Sequence, residues 1–231
     1  MDIYNPNDLI EYFETNKKPG LGDFHRKLIP TKYHIIGVPS KIVHNLSRQI
    51  ATECDIERFF VLDNKRYFEL VMTKGLVVAV SKLPPLKKRE LLKEFIQYID
   101  NWAINDVVCS KINVKKDYEG YFDFFVNLLG GGAFSVRFGL CGFLEYLDDS
   151  HIDQVLKLAG DIKSQEYYVR MMQAWLISDA FIKQKEKTLK FLKNSPLDRF
   201  THNKAIQKIR ESLRVSLEDK EMLLTLKKSN I

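Results

Sequence analysis

Apolar residues recur at three- and four-residue intervals along nearly the whole chain, the spacing of helices that bury one face. Asn7 opens a short amphipathic segment with Leu9, Ile10 and Phe13 on one side, and Pro19-Gly20-Leu21-Gly22 breaks it. A second short helix is expected over Phe24–Leu28. Pro39-Ser40 starts another, carrying Ile42, Val43, Leu46 and Ile50. Asn64–Ser81 predicts a helix through Tyr67, Leu70, Val71 and Val77-Val78. Its apolar run from Gly75 to Val80 also fits a strand; helix is preferred because the neighbours are helical. The pattern continues over Leu86–Ile99, Trp102–Ile112 and Tyr118–Leu129, stops at Gly130-Gly131-Gly132, and resumes over Phe134–Leu147. His151–Ala159, Gln165–Phe181, Thr188–Leu192, Thr201–Leu213 and Leu217–Leu226 complete the series.

Short polar links between such segments point to an all-α fold. Antiparallel pairs of ~40 residues suggest an α-solenoid of HEAT-like helix pairs, with 1–231 as one domain. A compact helical bundle is the alternative, since no strict sequence repeat is visible. Proline usage agrees: none occurs between Pro85 and Pro196. An all-β fold needs frequent Gly and Pro turns, and these are missing. A hydrophobic content of 45% is too rich for a disordered chain. The longest clean apolar stretches, such as Leu76–Val80, are too short to cross a bilayer. The N-terminus has no basic head and no apolar run, so a secretory signal is not expected. Cys54, Cys109 and Cys141 are an odd set without metal spacing. Neither a disulfide framework nor a metal site is expected, and a reducing cytoplasm fits.

Charge changes the picture. Residues 1–180 hold 23 basic and 24 acidic side chains, whereas residues 181–231 hold 13 and 6. The whole net charge of +6 therefore comes from the last 51 residues. A basic flank attracts polyanions through charge neutralisation and counterion release, and nucleic acid is the commonest of them. A solvated Lys-rich surface explains the same counts.

Several signals carry no chemistry. Leu129-Gly-Gly-Gly-Ala-Phe lacks the Lys-Ser or Lys-Thr of a phosphate loop. Asp148-Asp149 before His151 reads as capping of the next helix. The five histidines sit in no ligand or triad spacing. Three stretches are more informative. In Trp102-Ala-Ile-Asn-Asp106 the indole and the carboxylate are four apart and share one helix face; a helix-surface acid is the ordinary explanation, a catalytic one the alternative. In Glu166–Leu176, Trp175 lies off the core stripe of Val169, Met172, Leu176 and Ala180. It serves either a helix junction or, facing a groove, a platform for a base or sugar. In Phe134-Ser-Val-Arg137-Phe-Gly, Arg137 stands among apolar residues and must snorkel, pair with an acid or a helix C-terminus, or reach an anion.

These stretches, in this order and separation, resemble the AlkD-type DNA alkylation-repair family, from about Phe24 to Ser212. Phe24–Pro39 resembles the family's N-terminal lead, Trp102–Asp106 its Trp-x-x-x-Asp motif, Phe134–Arg137 its apolar-x-x-Arg element, and Glu166–Ile177 its aromatic helix ending in Gly/Ala-Trp. The resemblance implies a HEAT-like solenoid that binds duplex DNA in a basic concave face. It also implies a monofunctional glycosylase that removes N3- and N7-alkylated purines without metal or organic cofactor. Carried over by position, Asp106 is the catalytic carboxylate, Trp102 and Trp175 line the lesion cleft, and Arg137 holds phosphate. Arg170, Lys183 and Lys204 are further expected phosphate contacts, and a monomer is expected.

The chain departs from the family pattern at Ser178, where an Arg is usual, in the polar Thr201–Ala205 element, at Ala103, and at Phe138-Gly139. These departures keep two other readings in play: a non-catalytic relative that binds distorted DNA, and a helical-repeat scaffold for protein partners.

Overall fold

The computed structural model describes residues 1–64 and 66–229. Lys65, within the helix expected from Asn64, and Asn230-Ile231, at the end of the expected domain, lie outside the described residues. Among those described, fourteen α-helices follow one another and no strand forms; a single isolated bridge joins His34 and Tyr67. The all-α expectation holds, and Gly75–Val80 is helical. The chain divides into two compact units, Met1–Tyr118 and Glu119–Ile231.

The first unit carries α1 (Pro6–Thr15), α2 (Leu21–Leu28), α3 (Ser40–Glu53), α4 (Ile56–Phe60), α5 (Phe68–Val80), α6 (Pro85–Phe95) and α7 (Trp102–Cys109). Helix α5 is its axis: α1, α3, α4, α6 and α7 all pack on it. That explains why its sequence is apolar on every side. From Phe68 to Ala79 every residue is buried, so no amphipathic stripe exists to separate helix from strand. The break at residues 19–22 is narrower than the sequence suggests. Gly20 alone takes the left-handed conformation, at φ 76°, and Leu21 and Gly22 already belong to α2. Helix α4 was not expected. Beyond α2, Gly37 has φ 95°, and a Cβ there would lie 2.3 Å from the Gly22 nitrogen. The chain touches itself at this point. The buried Glu69 carboxylate accepts N–H groups of Ile36 at 3.1 Å, Gly37 at 2.8 Å and Val38 at 3.4 Å, and so holds the turn onto α5.

The second unit holds nearly all of α8 (Tyr118–Leu128), then α9 (Ala133–Gly142), α10 (Ile152–Asp161), α11 (Tyr167–Lys183), α12 (Lys185–Lys193), α13 (Arg199–Glu211) and α14 (Leu217–Leu224). Here α9, α11 and α13 pack in succession, α10 and α12 pack on each other and on α11, and α14 closes on α13. In the first unit α3, α5 and α7 likewise pack in succession. Alternate helices side by side, with the intervening ones behind, are the arrangement of stacked helix pairs. Residues Phe122, Phe125, Phe143 and Tyr146 form a buried aromatic cluster beneath α8. Among the described residues, Cys54, Cys109 and Cys141 form no disulfide. No helix among the described residues is long and apolar enough to cross a membrane.

Candidate functional site

Helix α7 owes its start to a chain of polar contacts. Asn101, fully buried, caps it by accepting the Ile104 N–H at 3.0 Å. Its amide donates to Asp100 at 2.7 Å. The Asp100 carboxylate reaches back across the sequence to accept Thr31 Oγ1 at 2.9 Å and the Lys32 N–H at 2.7 Å. Tyr33 adds a hydroxyl donated to the Tyr98 carbonyl at 2.7 Å. Burial, then the Asp100 and Tyr98 groups beside it, push that phenol up to about 12.

Trp102 is the first residue of the helix so fixed. Its indole Nε1 donates to the Leu28 carbonyl at 3.3 Å, and the ring walls a cavity of about 290 Å³ with Phe24, Leu28, His44, Met72 and Val107. Burial, then Lys111 and Arg48, lower the His44 pKa. Asp106, one turn on from Trp102, is partly exposed. Its Oδ1 accepts from the Asn105 side-chain amide at 3.0 Å. Asn105 is fully buried, and among the described residues its own Oδ1 has no partner. The amide thus spends a buried position on orienting the carboxylate, a role the four-residue spacing alone does not reveal.

In the second unit the stripe of Val169, Met172, Leu176 and Ala180 is buried as expected, and Trp175 stands outside it at 39% exposure. Four residues further along α11, Asp179 repeats the Trp-x-x-x-Asp spacing and pairs with Arg214 at 3.4 Å. Ser178 is buried, so the place where the family carries an Arg points into the unit. Arg137 is also buried; it donates to the Tyr168 carbonyl at 2.6 Å, with its guanidinium 6.0 Å from the Tyr168 ring. Arg170 pairs with Asp198, donates to Thr201 Oγ1 at 3.3 Å and lies 4.2 Å over the Phe200 ring. Burial alone would raise the Asp198 pKa; hydrogen bonds from Thr201 and Arg170 outweigh it and bring the pKa below its ordinary value. Lys183 is exposed and donates to the Leu144 carbonyl at 3.2 Å. Lys204 donates to Gln207 at 2.8 Å and stands 5.8 Å over Phe200. Among the described residues, no group of three or more His, Cys, Asp or Glu is placed to hold a metal.

The family model described as DNA alkylation repair enzyme matches residues 7–209. The chain belongs to this DNA alkylation repair enzyme family. No curated protein and no solved structure matches it. The DNA alkylation repair match begins in α1 and ends in the last turn of α13, so it contains Trp102 and Asp106 on α7 as well as Trp175 on α11. Helix α14 and the chain beyond it fall outside.

Proposed function

We propose that the protein is a DNA glycosylase hydrolysing the N-glycosidic bond of cationic N3- and N7-alkylated purines in duplex DNA. The observation that carries this reading is the α7 face in a chain of this family: an indole and a carboxylate one turn apart, with the carboxylate held by Asn105. An N3- or N7-alkylated purine already bears positive charge. When its bond to the sugar breaks, the electron pair neutralises the base, and no proton from the enzyme is needed. Two tasks remain. The positive charge growing at C1′ must be stabilised, and a water must be held to attack it. The Asp106 carboxylate performs both, and its fixed orientation is what makes it effective. Water oxygen bonds to C1′ and its proton leaves through the carboxylate to solvent. The electron-rich faces of Trp102 and Trp175 favour a cationic base and a partly positive sugar.

Lys183 and Lys204 are assigned to backbone phosphate. Arg137 and Arg170 join them only by exchanging Tyr168 and Asp198 for a phosphate oxygen, which their present hydrogen bonds oppose. The scheme calls for no metal or organic cofactor, and the monomer is taken as the acting form.

The test is single-turnover release of N7-methylguanine from duplex DNA. Asp106→Asn is expected to slow release at least ~10-fold with melting unchanged. Release at the wild-type rate overturns the assignment. A second reading, DNA binding without base release, is motivated by the departures from the family pattern at Ser178 and Thr201–Ala205. Salt-dependent duplex binding with no base released by the wild-type protein would establish it.

A further inference from the structure

The basic excess of residues 181–231 is not uniformly available. Several cations there are matched by acids: Lys185 with Asp219 at 2.7 Å, Lys187 with Asp153 at 2.8 Å, Lys208 with Glu211 at 3.0 Å and Arg214 with Asp179 at 3.4 Å. One place on α13 differs. A recess of about 360 Å³ is lined by Arg199, Phe200, Asn203, Lys204, Gln207 and Lys227, with no carboxylate among them. A second, of about 540 Å³, is lined by Arg199, Lys227, Lys228 and Ser229, again without an acid among the described residues. Among the described residues the side chains of Arg199 and Lys227 have no hydrogen-bond or ion-pair partner, and Lys204 hydrogen-bonds the neutral Gln207 amide, with the Glu211 carboxylate near enough to feel its charge.

The arrangement is built, not a loose end lying against a helix. Asp198 caps α13 by accepting the Phe200 N–H at 2.9 Å and the Thr201 N–H at 3.2 Å, which fixes Arg199 in the first turn. Arg199, Asn203 and Gln207 then recur every four residues along one face. The segment after α14 is clasped onto that face. The buried His202 ring is bonded through Nε2 to the Leu226 carbonyl at 2.8 Å. Asn203 exchanges two hydrogen bonds of 2.9 Å with the Lys228 backbone. The Lys228 ammonium is anchored on the carbonyls of Ser195 at 3.0 Å and Leu197 at 2.6 Å. Lys227, between these anchors, is presented beside Arg199.

Holding three like charges around one hollow costs free energy unless an anion enters. We propose that the two recesses form an accessory clamp for successive backbone phosphates of duplex DNA. Two hollows sharing Arg199 and Lys227 suit a chain of anions better than one isolated phosphate. Among the described residues the only aromatic in the lining, Phe200, is partly buried beneath Arg170 and is not available to enter a lipid layer. Lys227 lies beyond the stretch matched to the family, whereas Arg199 and Lys204 lie within it. The inference rests on duplex DNA being the partner, but not on base release.

The experiment is a salt titration of full-length protein binding to undamaged, dye-labelled duplex DNA. Arg199→Gln with Lys227→Gln removes two contacts and should reduce the slope of log K against log salt by about 1.8. Lys190→Gln with Lys193→Gln on α12 removes the same charge elsewhere and should leave the slope nearly unchanged. Equal effects of the two pairs, or no effect of either, overturn the clamp. So does loss of binding to phosphatidylserine vesicles, or of protection by inorganic phosphate, with the DNA slope unmoved. A clamp-dependent slope in a protein that releases no base leaves the clamp standing and overturns the glycosylase reading. Base release with an unmoved slope does the reverse.

Discussion

Replacing Asn105 by Leu separates the folding role of this residue from its role at the site. The side chain is fully buried; its Nδ2 donates to Asp106 Oδ1 at 3.0 Å, and its Oδ1 has no partner. A hydrogen bond to a charged group is worth about 1.5–3 kcal/mol net, and a buried acceptor left unpaired costs about 1–3 kcal/mol. Leucine branches at the same carbon and has similar shape, so it removes both terms with little new cavity or strain. The two contributions offset, and Asn105→Leu is expected to unfold in urea within ~1.5 kcal/mol of wild type. The site loses what the fold does not. If the contact supplies ~1.5–3 kcal/mol of carboxylate positioning, each ~1.4 kcal/mol forfeited slows release about tenfold. Single-turnover release of N7-methylguanine should therefore slow by about 10- to 100-fold while stability is kept. Asn105→Ala should lose both, because it leaves a void at a fully buried position. Wild-type release by Asn105→Leu, or destabilisation beyond ~3 kcal/mol, would refute the reasoning and make Asn105 a purely structural amide.

Two further outcomes follow from the packing and the buried charge. An added Cβ at Gly75 would meet the Phe95 ring at 2.4 Å and Val108 Cγ2 at 2.7 Å. Gly75→Ala should therefore cost about 1–3 kcal/mol in urea unfolding, since all three residues are in the core. His202 has its pKa lowered by burial first and by the charge of Lys228, against the opposing pull of the Leu226 carbonyl. The unfolded chain then binds the proton more readily than the folded one. Stability should be complete above about pH 6.5 and fall as pH drops from there towards the folded pKa, by at most ~1.4 kcal/mol per pH unit. His202→Gln should flatten that part of the stability-versus-pH curve.

Most of the helix series was legible because each outer helix shows a stripe, and the stripes were where the core is. Two exceptions have physical causes. Helix α4 escaped because Ile56–Phe60 is barely more than one turn, too short for a period to register. Helix α5 was ambiguous because its neighbours surround it and erase the polar face. At the candidate site, the shared face of Trp102 and Asp106 could be read from spacing alone. The state of Arg137 could not, since it donates to a main-chain carbonyl 31 residues away, and any residue type supplies one. Arg170 was equally opaque: Asp198 lies 28 residues on and reaches it only through the packing of α11 on α13. The Asn105 amide was hidden because a buried asparagine has the same spelling whether it caps, pairs or steers a neighbour.

The stitch from Asp100 to Thr31 and Lys32 gives the first unit a remote adjustment screw. Through it, the azimuth of α7 is referenced to a loop almost seventy residues upstream. Drift in that loop can re-aim the indole and the acid while leaving the letters of Trp102–Asp106 intact, so relatives sharing an identical motif need not share its bearing.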